Sequence, residues 1–135
     1  HLGGEGVRAA EILAREGLDL IHVSHAGSRP EALDPASAYE PLLELARPVR
    51  ERVAVPVIGI GGIKTPAEAD GAIEDGLCDL IAVGRAILAD PGWVQKTLDG
   101  RPETIALCED CQPRCYHYTE PEKCPARKRL AEAEA

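Results

Sequence analysis

The chain has 135 residues, 44% of them apolar, which is enough for one modest hydrophobic core and too little for two full domains. Its 15 basic and 23 acidic residues give a formal net charge of −8, and this excess of acid disfavours binding to nucleic acid. No apolar run reaches the roughly 20 residues that span a bilayer. From composition we therefore expect a cytoplasmic protein without a nucleic-acid or membrane partner.

Helix and strand patterns alternate along the first hundred residues. Five segments have apolar residues at helical spacing, and three short runs are apolar on both faces, which is typical of buried parallel strands. The expected helices are residues 5–16, 39–52, 66–75, 86–90 and 93–98, and the expected strands are residues 18–24, 55–60 and 78–84. This alternation predicts an α/β protein with right-handed crossovers and a parallel sheet.

Two of the expected helices carry specific local signals. Thr65 followed three residues later by Glu68 predicts a capping box, and Gly76 is expected to end the same helix. Pro48 lies inside the helix expected at residues 39–52, where it lacks the amide N–H that the helix needs. We therefore expect Pro48 to kink or split that helix. The charged tail at residues 126–135 is expected to be a helix or to fray.

The residues that follow the second and third strands predict a phosphate site. Gly61 and Gly62 come directly after the second strand, and Gly84 and Arg85 end or follow the third. Glycines let backbone N–H groups approach an anion closely, and the arginine adds a fixed positive charge. Taken singly, the glycines would only form a turn and Arg85 would only pair with a surface acid. The two neighbouring strand ends together favour a phosphate cup, because ligands bind at this edge of α/β folds.

Residues 58–93, IGIGGIKTPAEADGAIEDGLCDLIAVGRAILADPGW, resemble the last third of the Old Yellow Enzyme family of NADH:flavin oxidoreductases. The resemblance covers roughly residues 5–100. It implies a (β/α)8 TIM barrel of which this chain holds the three carboxyl-terminal βα units, strands six to eight. It further implies that NAD(P)H donates electrons and that an unsaturated carbonyl or acyl-CoA compound accepts them. The residues that would hold the FMN phosphate are Gly61, Gly62, Gly84 and Arg85.

The resemblance extends into a cysteine-rich tail, CEDCQPRCYHYTEPEKC, at residues 108–124. A subgroup similar to 2,4-dienoyl-CoA reductase binds a [4Fe-4S] cluster just after the eighth barrel unit. The ligands implied by this similarity are Cys108, Cys111, Cys115 and Cys124. The first three match the spacing of that subgroup, whereas the gap before Cys124 is shorter than usual. Zinc sites use similar short spacings and His117 lies between the cysteines, so the cysteines alone do not separate iron-sulfur from zinc. The absence of a secretory signal disfavours disulfides.

The expected organisation is a partial barrel at residues 1–100 followed by a metal-binding tail at residues 101–135. A complete barrel needs eight strands, so we expect a carboxyl-terminal fragment whose reaction centre, and every catalytic residue, lies upstream. Such a piece would be inactive alone and would associate with the missing part of the barrel or with itself, because its first strand has an open edge. Two alternatives are a half-barrel of another TIM-barrel enzyme that binds a sugar phosphate, and a zinc-stapled module without catalytic function.

Overall fold

The computed structural model describes residues 2–26, 30–115 and 117–135, and the chain divides into two compact units. Unit 1 comprises residues 1–62 and 69–82, and unit 2 comprises residues 63–68 and 83–135. The helices are α1 (Leu2–Arg15), α2 (Pro41–Glu44), α3 (Ala46–Arg50), α4 (Pro66–Glu74), α5 (Arg85–Ala89), α6 (Trp93–Leu98) and α7 (Pro125–Glu134). The strands are β1 (Ile21–His22), β2 (Val57–Ile60) and β3 (Leu80–Ala82), and short 3₁₀ helices lie at Pro102–Thr104 and Pro121–Lys123.

Unit 1 contains the predicted parallel sheet, with β2 between β1 and β3. Each strand is shorter than the sequence pattern predicted. Along the edge strand, Ile21 N–H donates to Pro56 and Val23 N–H donates to Ile58, at 3.1 and 3.0 Å. Among the described strands, β1 and β3 form the two edges of the sheet, since each of them pairs only with β2. The parallel order itself is confirmed.

The buried face of β2 sets how closely the helices approach the sheet. Val57 and Gly59 alternate as buried residues, and Leu43 of α2 packs over them with 1% exposure. A Cβ atom added to Gly59 would lie 2.8 Å from Leu43 Cδ1 and 3.1 Å from Cys78 Sγ. Glycine at this position therefore gives α2 the room to lie against the sheet.

The helix expected at residues 39–52 is split, as Pro48 predicted. The first part, α2, ends at Glu44, and α3 begins at Ala46. In a continuous helix the carbonyl of Glu44 would accept a hydrogen bond from residue 48, and proline has no N–H to donate. The helix is therefore interrupted directly after Glu44, whose carbonyl would have no N–H partner in a continuous helix.

The capping box that starts α4 is also confirmed. Glu68 N–H donates to Thr65 Oγ1 at 3.2 Å, and Thr65 N–H donates to Glu68 Oε2 at 3.0 Å. A third donor, Lys64 N–H, lies 2.7 Å from the same Glu68 oxygen. Glu68 therefore fixes the backbone of Lys64 as well as the helix start.

Unit 2 is organised around the carboxylate of Asp90, which is 0% exposed. It follows α5, and its Oδ1 accepts the N–H of Gly92 at 2.9 Å. Its Oδ2 accepts Lys96 Nζ at 2.8 Å and the N–H of Ala106 at 2.9 Å. Lys96 also donates to the carbonyl of Thr104 at 3.1 Å. One buried carboxylate thus joins the α5–α6 turn to the segment that leads into the cysteines.

Two small apolar clusters complete unit 2. The first contains Ala86, Trp93 and Ile105, with Val83 against it. The second contains Ala89, Cys124 and Ala126, with Ala106 and Cys108 against it. The tail forms α7, so the helical alternative for it is correct. Unit 2 extends across residue 100, and the division predicted there remains a prediction. None of the helices in the described ranges has the length and apolar character needed to cross a membrane.

Substituting Gly59 by alanine should lower the free energy of unfolding by about 1 to 3 kcal/mol, because the new methyl group overlaps Leu43 and Cys78. Gly6→Ala is the matched control. Nothing lies within 4 Å of a Cβ at Gly6 in α1, so this change should stabilise by about 0.5 to 1 kcal/mol. Urea denaturation monitored by circular dichroism measures both. Equal effects of the two substitutions would contradict the close packing at β2.

Replacing Asp90 by asparagine should lower the free energy of unfolding by about 3 kcal/mol, because the ammonium of Lys96, only 12% exposed, would keep only the exposed Glu134 at 3.8 Å as an anionic partner. Asp99→Asn is the control, since Asp99 pairs with Arg101 on the surface and should change stability by less than about 0.5 kcal/mol. Urea denaturation of the two variants at neutral pH gives the comparison.

The same substitution should change how stability depends on acid. Burial alone would raise the pKa of Asp90, but hydrogen bonds from Lys96, Ala106 and Gly92 outweigh it and hold that pKa below its usual range. The stabilisation is complete above the ordinary aspartate pKa of about 3.9 and is lost as pH falls through the lower, folded-state value. Asp90→Asn should therefore lose less stability than the unmodified protein below about pH 4. Parallel stability curves for the two proteins would show that this carboxylate is not preferentially ionised in the folded state.

Candidate functional site

The two predicted phosphate-binding glycines of unit 1 directly follow β2. Gly61 has φ +144° and Gly62 has φ +66°, backbone conformations that favour glycine. A Cβ on Gly61 would lie 2.8 Å from the backbone N of Leu43, and a Cβ on Gly62 would lie 2.1 Å from Glu40 Cγ. Both positions therefore require glycine for backbone conformation and for space.

The other two predicted residues belong to unit 2. Gly84 precedes α5, and Arg85 is its first residue. Arg85 NH1 donates to Asp110 Oδ1 at 3.0 Å, and its side chain is 48% exposed. The pairing with an acid, which the sequence left open as the alternative, is thus present. Because the four residues fall in two units, a cup that combines them remains a prediction.

Asp110 has a second cation, Lys64, which the sequence analysis did not identify. Lys64 Nζ forms an ion pair with Asp110 Oδ2, so the two carboxylate oxygens each face a different basic side chain. The hydrogen bond from Lys64 lowers the pKa of Asp110, and Arg85 adds to this effect, while Asp110 in turn raises the pKa of Lys64. Asp110 also adopts φ +51° and lies 3.9 Å from the sulfur of Cys108.

Two contacts within unit 2 hold Lys64 in this position. The indole Nε1 of Trp93 donates to the carbonyl of Lys64 at 2.8 Å, and Trp93 itself is 7% exposed. On the other side, Glu68 accepts the N–H of Lys64. A buried donor and a capping carboxylate therefore fix both backbone groups of this residue. No local sequence signal marks Lys64, because its partners Trp93 and Asp110 are distant in the chain.

The four cysteines of the predicted metal site are free thiols in unit 2. Cys124 is 7% exposed, caps the start of α7 and belongs to the apolar cluster against which Cys108 packs. Cys111 and Cys115 are partly exposed. Among the described residues, no group of three or more histidine, cysteine or acidic side chains is arranged to hold a metal ion. The donor chemistry fits an iron-sulfur cluster, since four thiols are available in one unit, whereas their convergence on one centre remains a prediction.

The comparisons with known proteins agree with the sequence resemblance. The model of the NADH:flavin oxidoreductase / NADH oxidase family matches residues 7–104. Bilirubin reductase of Mediterraneibacter gnavus (strain CC55_001C) is 37% identical over 117 residues, covering 82% of this chain and 18% of the relative. NADH:fumarate oxidoreductase of Klebsiella pneumoniae (strain 342) is 36% identical over 114 residues, covering 82% of this chain and 12% of the relative. The chain thus spans less than a fifth of the length of these relatives.

A solved structure supports the fold. Histamine dehydrogenase from Rhizobium sp. 4-9 matches with a TM-score of 0.61 and 25% identity, covering 78% of this chain and 15% of that protein. The predicted fold class is confirmed, since the described strands form three parallel units of a partial (β/α)8 barrel. From the family match over most of its length, the chain belongs to the NADH:flavin oxidoreductase / NADH oxidase family.

Proposed function

We propose that this chain is the cofactor-binding, carboxyl-terminal part of an FMN-dependent NAD(P)H oxidoreductase that also carries a [4Fe-4S] cluster. The match to the NADH:flavin oxidoreductase family over residues 7–104 supports the flavin part of the proposal, and the four cysteines at residues 108–124 support the cluster part. The whole enzyme reduces the activated C=C bond of a small unsaturated carbonyl or acyl-CoA compound. The names of the two relatives, which refer to bilirubin and fumarate, support an unsaturated substrate because both compounds contain conjugated double bonds.

The FMN phosphate is held by Gly61, Gly62, Gly84 and Arg85. The pairing of β2 with β3 supports this assignment, since Ile60 and Ala82 are partners at their carboxyl ends and the glycines follow in the chain. In barrels of this class, the loops after the last two strands form the usual phosphate site. Bound FMN would supply the hydride-transfer chemistry, whereas these residues contribute binding and orientation.

The cluster is held by Cys108, Cys111, Cys115 and Cys124. The thiols are free, and two of them already pack at one apolar cluster, which supports a common centre once the segment closes around iron. Zinc is the second candidate for the same thiols, with His117 as a further donor between them. An iron-sulfur cluster is coloured and contains labile sulfide, whereas a zinc site is colourless and contains none. Metal and sulfide analysis therefore separates the two.

The rest of the barrel completes the protein. In unit 1, Leu20 beside β1 is 44% exposed and Leu80 of β3 is 48% exposed. Exposed apolar residues on a sheet with an open edge favour association. The preceding barrel units, or a second copy of this chain, would cover them. We place the catalytic residues in those preceding units and expect this chain to be inactive alone.

Arg85→Ala should weaken FMN binding by about 1.5 to 3 kcal/mol, roughly ten- to hundredfold, because it removes a charge-assisted contact to the phosphate. Fluorescence titration of the flavin-free protein with FMN measures the change. Arg101→Ala is the control, since Arg101 is an exposed arginine of the same unit that pairs with Asp99. Unchanged flavin affinity in Arg85→Ala would remove this residue from the phosphate site.

Cys111→Ser should abolish the visible absorbance of the cluster and most of the bound iron, because a [4Fe-4S] cluster needs its thiolate ligands. Cys78→Ala is the control. Cys78 is buried in unit 1, where burial raises the pKa of its thiol, and this substitution should leave the iron content unchanged. Full iron content in Cys111→Ser would refute the ligand assignment, and a colourless protein with bound zinc would favour the second candidate.

A further inference from the structure

Two basic side chains of unit 2 converge on one carboxylate of the cysteine segment. Lys64 binds Asp110 Oδ2, and Arg85 NH1 binds Asp110 Oδ1 at 3.0 Å. The side chains of Lys64, Arg85 and Asp110 are 31%, 48% and 41% exposed, respectively, so a dissolved anion can reach them. Two positive charges thus share the carboxylate of Asp110, and the carboxylate of Glu68, which accepts the backbone N–H of Lys64, is a further negative charge near Lys64.

The two basic side chains, Lys64 and Arg85, are suited to bind a phosphate group. A carboxylate presents two oxygens to the two cations, and a phosphate monoester presents three oxygens with a charge close to −2 at neutral pH. The phosphate would therefore satisfy Lys64 and Arg85 with more charge and more acceptors than Asp110 can offer. It would also compete directly with Asp110, because the same donor atoms are needed for both.

We propose that Lys64 and Arg85 form a two-cation phosphate site that Asp110 closes when no phosphate is bound. Phosphate binding displaces Asp110 and thereby releases the start of the cysteine segment from the two cations. The inference rests on the proposed function in taking the FMN phosphate as the natural ligand. It adds Lys64 as a second phosphate-binding cation and Asp110 as its internal competitor.

The position of Asp110 makes the competition a link between the two cofactor sites. Asp110 lies between Cys108 and Cys111, and its carboxylate lies 3.9 Å from the sulfur of Cys108. While Asp110 is paired with Lys64 and Arg85, the cysteine segment has less freedom to close around iron than it has after Asp110 is released. Because binding effects are reciprocal, closing the segment around a cluster would also free the cations and strengthen phosphate binding by the same factor.

The test is the affinity of the flavin-free protein for inorganic phosphate, measured by calorimetry on full-length protein. Asp110→Asn keeps the shape of the side chain and removes its charge, and we expect it to bind phosphate about five- to tenfold more tightly. Lys64→Gln should bind it more weakly than the unmodified protein. Asp110→Glu, which restores the carboxylate, should return the affinity toward the original value.

Glu109→Gln is the matched control for net charge. Glu109 is the neighbouring residue and pairs with Arg129 instead of the two cations. Its substitution should change phosphate affinity by less than about twofold, because its carboxylate is paired with Arg129 and salt screens exposed charges. An equal gain in phosphate affinity in Glu109→Gln and Asp110→Asn would show that the effect comes from net charge alone, and it would overturn the inference. Unchanged or weaker phosphate binding in Asp110→Asn would also overturn it.

A second readout follows the cysteine segment itself. Phosphate should accelerate alkylation of Cys108 and Cys111 by iodoacetamide in the unmodified protein, and the rate in Asp110→Asn should be high with or without phosphate. Phosphate-independent alkylation in the unmodified protein would count against the release of the segment. The proposed function fails separately: if FMN does not bind, or if Arg85→Ala retains it fully, the flavin site is wrong whatever Asp110 does to inorganic phosphate.

Discussion

The buried carboxylate of Asp90 is the interaction on which unit 2 depends. A charge at 0% exposure is tolerated only with full compensation, and here an ammonium group and two backbone N–H groups supply it. These bonds fix the turn between α5 and α6 and the backbone of Ala106. Since Cys108 follows two residues later, the same carboxylate sets where the cysteine segment begins. The packing of Ala89, next to Asp90, against Cys124 fixes where it ends.

The ion pairs of Asp110 with Lys64 and Arg85 are more exposed than the buried network around Asp90, and we therefore assign them a different role. Surface ion pairs contribute little to stability, and the three partners here are 31% to 48% exposed. Their importance is that they are reversible: water and dissolved anions compete for the same donors. A rigid Lys64 backbone, held by Trp93 and Glu68, keeps one cation in place while Asp110 exchanges with a ligand. A fixed Lys64 backbone and an exchangeable Asp110 carboxylate together are suited to a site that responds to a ligand.

Local physical rules predicted much of the fold. The capping box of Thr65 and Glu68, the split at Pro48 and the parallel order of the strands depend on neighbouring residues or on hydrophobic pattern, which the sequence displays directly. Strand lengths were overestimated because apolar composition does not reveal how many partners an edge strand has. The sequence pattern identified the strand-end glycines, whereas the close contacts that require glycine there depend on Leu43 and Glu40, and joint action with Arg85 stays a prediction.

The contacts that sequence reasoning missed are those between distant residues. Nothing local marks Asp90 as a buried hub, Trp93 as a donor to Lys64, or Asp110 as the partner of two cations. Each depends on chain segments that meet only after folding. The cysteine spacing likewise identified a donor set without fixing the metal, because thiolates bind iron-sulfur clusters and zinc at similar spacings.

Cofactor analysis of the purified full-length protein tests most directly whether flavin and iron-sulfur sites are combined in one protein. Flavin, iron, labile sulfide and zinc would be measured on anaerobically purified material. The proposed function predicts about one FMN, about four iron and about four sulfide per chain, with negligible zinc. Protein that contains zinc in place of iron and sulfide, or that contains no flavin, would contradict it.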